Sequence, residues 1–146
     1  MSNDPSSRRC FLKVLAQGGA LAGAACLGVA CASGGPVDGG AVSALPVGTL
    51  RVVGSTSIAV GRDQGGVYAM TVICPHESCD MSTDGSVSFA GVVCNCHGSQ
   101  FDANGAVLQG PAQTPLVHYP VTLSAAGEIT VDTSTTVAAT TRVAVA

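Results

Sequence analysis

The chain has 146 residues, a formal net charge of −3 and seven cysteines. That length suits one modest domain. The acidic balance argues against nucleic acid as a partner. Residues 1–13 are polar and carry Arg8, Arg9 and Lys13, whereas residues 14–37 hold no charged side chain and are rich in Ala and Gly. A basic start followed by an apolar run is the pattern of an export signal, so fold reasoning begins near residue 40.

The basic stretch reads Ser7-Arg8-Arg9-Cys10-Phe11-Leu12-Lys13 and resembles the bacterial twin-arginine signal. The resemblance implies export to the periplasmic side by a route that carries proteins already folded around their cofactors. The apolar segment has Gln17 inside it and is a marginal spanning helix against the usual need for about 20 apolar residues. Leu27-Gly28-Val29-Ala30-Cys31 resembles a lipoprotein processing site, which makes Cys31 a candidate for lipidation, although Gly28 stands where a larger aliphatic residue is usual. Simple cleavage after the small residues Ala30-Cys31-Ala32 is a third fate. Residues 1–32 are therefore read as a signal or as a membrane or lipid anchor. Residues 33–46, with Gly34, Gly35, Pro36, Gly39, Gly40 and Pro46, read as a flexible linker, and 47–146 as the folded domain. From residue 32 onward three arginines face eight carboxylates, a net charge of −5. Such a surface would favour a basic protein partner through electrostatic steering, or serve solubility alone.

Thr49–Val53, Ser57–Val60 and Val67–Ile73 are rich in Val, Ile and Thr and are parted by Gly-containing turns, which predicts strands. Val87–Val93 predicts another strand, with Asp84-Gly85 before it as a turn signal. Val117–Leu123 and Glu128–Val131 predict a final hairpin across Ala126-Gly127. No capped 3.6-residue period occurs between residues 45 and 146, so the class is all-β, a small antiparallel sandwich or barrel. The Thr/Ala/Val-rich tail from Thr133 reads equally as a further strand or a loose end.

Cys10, Cys26 and Cys31 lie in the signal. Cys74, Cys79, Cys94 and Cys96 lie in the domain, within Cys74-Pro75-His76-Glu77-Ser78-Cys79 and Cys94-Asn95-Cys96-His97-Gly98-Ser99. The pattern is C-x-H, seventeen residues, then C-x-x-H. Here the chain resembles the Rieske [2Fe–2S] family, most closely its disulfide-containing, high-potential branch; the motif-bearing part spans about residues 72–112. The resemblance implies a small β-sandwich with a two-loop cluster-binding subdomain, and a [2Fe–2S] cluster as cofactor. It implies that Cys74 and Cys94 bind the inner iron and that His76 and His97 bind the outer one. Neutral imidazoles in place of two thiolates leave the cluster less negative, so adding an electron costs less.

The same resemblance pairs Cys79 with Cys96 in a disulfide between the two loops, a bond that suits an oxidising compartment. It gives Ser99 the place of a serine whose hydroxyl donates to a bridging sulfide and raises the potential. It puts Phe101 where the highest-potential members carry a donating tyrosine. Phe has no donor, so the resemblance implies a lower potential than a Ser-plus-Tyr centre. Gly110 and Pro111 match the loop that covers the cluster. Glu77 and Ser78 depart from the apolar residue and glycine of respiratory Rieske subunits. A carboxylate beside exposed histidines disfavours an apolar docking pocket and favours an imidazolium nearby.

Two other readings compete. A structural zinc site needs C-x₂₋₄-C knuckles, and Cys94-x-Cys96 is too tight for one. A catalytic Cys–His pair lacks an orienting acid. His118, in a predicted strand beside Tyr119, reads as exposed or structural, and Glu77 and Asp80 read as solvated loop charges. No nucleotide-binding, flavin-binding or haem-attachment motif is present. The expected function is single-electron transfer, with any catalysis belonging to a complex. The expected partner is a redox protein: a cytochrome c, a cytochrome b or a larger oxidase subunit. The expected role is an exported carrier or small redox subunit, with the Rieske subunit of a quinol–cytochrome c type complex as the alternative.

Overall fold

The computed structural model of the chain describes residues 34–145. The twin-arginine motif, the apolar segment and Cys31 lie outside the described residues. Within them, no helix is long and apolar enough to cross a membrane.

Alternation along two neighbouring strands organises the domain. In β3 (Ile58–Asp63) and β4 (Gly66–Thr71) the residues 58–61 and 66–70 are all buried. Successive side chains of a strand point to opposite faces, so a run buried throughout needs cover on both sides. One face of this pair, through Ile58, Val60, Val67 and Ala69, packs with Leu45, Val53, Val121, Ile129 and Val131. The other, through Ala59, Tyr68 and Met70, packs with Met81, Val92, Phe101, Leu116 and the two cysteines Cys74 and Cys94.

Three antiparallel sheets supply that cover. The central one has the order β2 (Thr49–Val52), β3, β4 and β9 (His118–Tyr119). A second joins β1 (Pro36–Ala41), β11 (Glu128–Asp132) and β10 (Val121–Leu123). The third, which carries the cysteines, runs β5 (Gly85–Ser88), β6 (Gly91–Cys94), β7 (Gln100–Phe101) and β8 (Val107–Gln109). The predicted all-β class and the predicted final hairpin are both found: Gly127 N–H donates to Ser124 O, and the chain reverses before β11.

Two predictions are corrected. The stretch read as a flexible linker, 33–46, contains β1, which pairs with β11 from Pro36↔Asp132 to Ala41↔Glu128, and Leu45, which is fully buried. Its glycines serve packing: a Cβ at Gly39 would collide with the Ile129 side chain. The run Val87–Val93, read as one strand, is a hairpin that turns at Phe89-Ala90, with Ser86↔Val93 and Val87↔Val92 paired across it. The tail is neither a regular strand nor loose. Val143 exchanges two backbone hydrogen bonds with Val67 at 2.9 Å, Val137 N–H donates to His118 O, and Arg142 bonds Asp63 at 2.7 Å and Asn104 at 2.6 Å.

Candidate metal centre

Two loops at one end of the third sheet share a backbone hydrogen-bond skeleton. In the first, Cys74 N–H donates to Cys79 O and Ser78 N–H to Cys74 O; in the second, Cys94 N–H donates to Ser99 O and Gly98 N–H to Cys94 O. Each loop opens on a buried cysteine, carries a histidine outward, and closes through a residue in the left-handed region. That residue is Ser78 in the first loop (φ 58°) and Gly98 in the second (φ 82°). Gly adopts this conformation without steric cost, whereas Ser carries a penalty of roughly 1 kcal/mol.

The geometry divides the ligand candidates by depth. Cys74 and Cys94 are buried free thiols, while His76 and His97 are exposed. The two imidazoles stand side by side, with ring centroids 5.0 Å apart and planes at 78°. Burial pushes the Cys94 thiol pKa up, against the opposing pull of the Cys96 and His97 backbone N–H groups that face its sulfur. The remaining pair, Cys79 and Cys96, is disulfide-bonded across the two loops with Cα atoms 6.5 Å apart.

Ser99 is fully buried, and its Oγ accepts a hydrogen bond from Ala112 N–H at 3.0 Å. With a lone pair so used, the hydroxyl proton is free to be donated. Ala112 follows Gly110-Pro111, Pro111 lines a recess with Pro75 and His76, and Gln109 Nε2–H reaches Gly98 O at 3.4 Å. Phe101 is buried in the same core as both cysteines and offers no donor.

Glu77 and Asp80 have distinct places. Glu77 is on the rim, its Oε2 3.6 Å from His97 Nε2, with side-chain exposures of 64 % for Glu77 and 46 % for His97. Asp80, read from the sequence as a solvated charge, is half-buried at the base of the first loop. Its carboxylate accepts from Ser57 Oγ, from Ser82 Oγ at 2.6 Å and from Ser82 N–H at 2.9 Å. Burial raises its pKa, but the three hydrogen bonds outweigh that and hold it below the usual value of 3.8. The Asp-x-Ser spacing is the signal that sequence reasoning passed over. His118 lies apart from the centre. It is buried in β9, its Nδ1 is 3.3 Å from Leu116 O, and burial pushes its pKa down. The structural reading of His118 holds and the exposed one does not.

Two buried thiols and two rim imidazoles, one of each from either loop, define a class: a small β protein built to hold a metal centre with mixed sulfur and nitrogen ligands. The family model for the Rieske [2Fe-2S] domain matches residues 37–120, and the chain belongs to that family. The cytochrome b6-f complex iron-sulfur subunit of Synechococcus sp. (strain WH7803) is 42 % identical over 60 residues, covering 40 % of this chain and 32 % of that protein. The corresponding subunit of Prochlorococcus marinus (strain MIT 9215) is 36 % identical over 66 residues, covering 43 % and 35 %. The chain thus spans about a third of the length of the curated relatives it matches. Among solved structures, the cyanobacterial plasma membrane Rieske protein PetC3 from Synechocystis PCC 6803 superposes with a TM-score of 0.51 at 28 % identity, covering 65 % of this chain and 97 % of that one. The cofactor of this domain family is a [2Fe–2S] cluster. The donor set fits that group, since a Rieske centre takes two thiolates on one iron and two imidazoles on the other.

Proposed function

We infer that Cys74 and Cys94 ligate the inner iron and His76 and His97 the outer iron, in a protein that passes one electron at a time through its histidine rim. The observation that carries this reading is the depth order: both thiols are buried and both imidazoles are exposed, on loops with the same backbone skeleton. Bound there, the cluster supplies a one-electron couple. The polypeptide supplies the rest. Ser99 Oγ is buried and accepts from the Ala112 amide, which leaves its proton to donate, and a donor to the cluster sulfurs would favour the more negative, reduced state. The Cys79–Cys96 bond ties the two loops together and would limit rearrangement between redox states. Iron and labile sulfide analysis with EPR of the dithionite-reduced protein tests the assignment. Two irons and a Rieske-type spectrum are expected, both lost in Cys74→Ser and Cys94→Ser.

The setting we propose is an exported carrier or small redox subunit, delivered through the twin-arginine segment and held at the periplasmic side by an anchor or by lipid on Cys31. Glu77 supports a carrier without a quinol site, because it puts a carboxylate against His97 where a quinol would need an uncharged approach. The alternative, a subunit of a quinol-oxidising complex, draws support from the likeness to cytochrome b6-f iron-sulfur subunits. Reduction by quinol in the presence of a cytochrome b partner would establish the alternative; reduction only by soluble redox proteins would establish the carrier.

A further inference from the structure

The rim through which the electron passes is anionic, and every cation of the domain is elsewhere. Among the described residues there is no lysine, and no arginine occurs between residues 63 and 141. The three arginines are each bonded away from the cysteine loops. Arg51 donates to Gly39 O at 2.9 Å, Arg62 to Leu45 O at 3.3 Å, and Arg142 pairs with Asp63 at 2.7 Å. At the rim stand Glu77, over His97, and exposed Asp84, whose carbonyl accepts from Asn95 N–H on the second loop. On the other flank, beside His76, an open recess of about 240 Å³ is lined by Pro75, Pro111, Gln113 and Thr114, with no charge among them.

We propose that this rim is the docking surface for a redox protein whose contact face is basic, and that Glu77 is the side chain that selects it. The inference rests on the electron-carrier reading above. Its physics is steering. A carboxylate 3.6 Å from an exposed imidazole puts negative potential at the point of closest approach, and the three arginines of the described residues are all bonded elsewhere. Encounter is then faster for a positively charged partner and slower for a negative one, with a dependence on salt. The neutral recess beside His76 admits an uncharged ridge of the partner, so that charge guides the approach and shape completes the contact.

The test is stopped-flow oxidation of the reduced, cluster-containing full chain. A basic c-type cytochrome serves as one oxidant and hexacyanoferrate(III) as the other, at ionic strengths from about 0.01 to 0.3 M. The rate with the cytochrome should fall about tenfold across that range, and the rate with hexacyanoferrate(III) should rise. Glu77→Gln should lower the low-salt cytochrome rate about three- to tenfold and raise the hexacyanoferrate(III) rate, with both effects fading at high salt. Midpoint potentials of each variant allow the driving force to be divided out. Glu128→Gln removes the same charge from β11 and should change neither rate by more than about twofold. Rates that ignore salt, or a Glu128→Gln effect equal to that of Glu77→Gln, would overturn the docking inference alone. A chain that binds no two-iron cluster would overturn the electron-carrier reading, and this inference with it.

Discussion

The two cysteine loops share a skeleton and differ in how they are held. The second is short, runs directly from β6 into β7, and closes on Gly98, a residue with no cost at φ 82°. The first must bridge β4 to β5, closes on Ser78 at φ 58°, and carries Glu77 outward. It has an extra anchor that the second lacks: Asp80, bonded to Ser57 and Ser82 and accepting through its carbonyl from Thr83 and Asp84 N–H. One loop skeleton is thus reached by two means. The second loop uses backbone economy, and the first offsets a strained turn with a buried-side polar network. The disulfide then locks the two together.

The largest effect should follow from cutting that lock. Cys79→Ser with Cys96→Ser removes a cross-link spanning 17 residues and should lower stability by about 3 kcal/mol. The reduced thermal midpoint and a faster loss of iron on dilution check this. Asp80→Asn comes next. It keeps the shape but forfeits charge-assisted acceptance, and should cost about 1.5 kcal/mol at pH 7 by urea unfolding. Its pH dependence has a definite sign. The folded pKa lies below the unfolded value of 3.8, so the carboxylate's contribution is complete well above 3.8 and is lost as pH falls through the folded value. The acid limb of the stability curve should flatten in the Asn variant.

Ser99→Ala removes the buried donor and should lower the midpoint potential, by about 60 mV if the hydrogen bond differs by about 1.4 kcal/mol between redox states. Phe101→Tyr should raise it; an unchanged or lowered midpoint there would remove the case for a missing donor at Phe101. The smallest change is Ser78→Gly. It gives the first loop the conformational freedom of the second and should stabilise by about 0.5 kcal/mol, the relief of the left-handed turn less the entropy gained by the unfolded chain.

Much of this was legible in the residues. The C-x-H and C-x-x-H spacing named the ligand candidates, because the chemistry of the donor set fixes residue type as well as order. Runs rich in Val, Ile and Thr between glycine-containing turns named β2, β3 and β4, and β3 and β4, buried on both faces, show as continuous stretches without polar alternation. Strand β1 was hidden because glycine composition is shared by linkers and by strands that must pass close to a neighbour, as Gly39 does against Ile129. The β5–β6 turn was hidden because Phe89 and Ala90 are not turn-forming types. Asp80 was passed over because a single acidic residue in a loop looks solvated until the partners Ser57 and Ser82 are brought to it by the fold.

The ligand set is the central claim, and ⁵⁷Fe Mössbauer spectroscopy of the oxidised and reduced protein, with metal analysis on the same sample, tests it most directly. Two irons per chain in two distinct environments are expected, one sulfur-ligated and staying ferric on reduction, the other imidazole-ligated and becoming ferrous. Two equivalent irons, a single iron, or zinc in their place would contradict it.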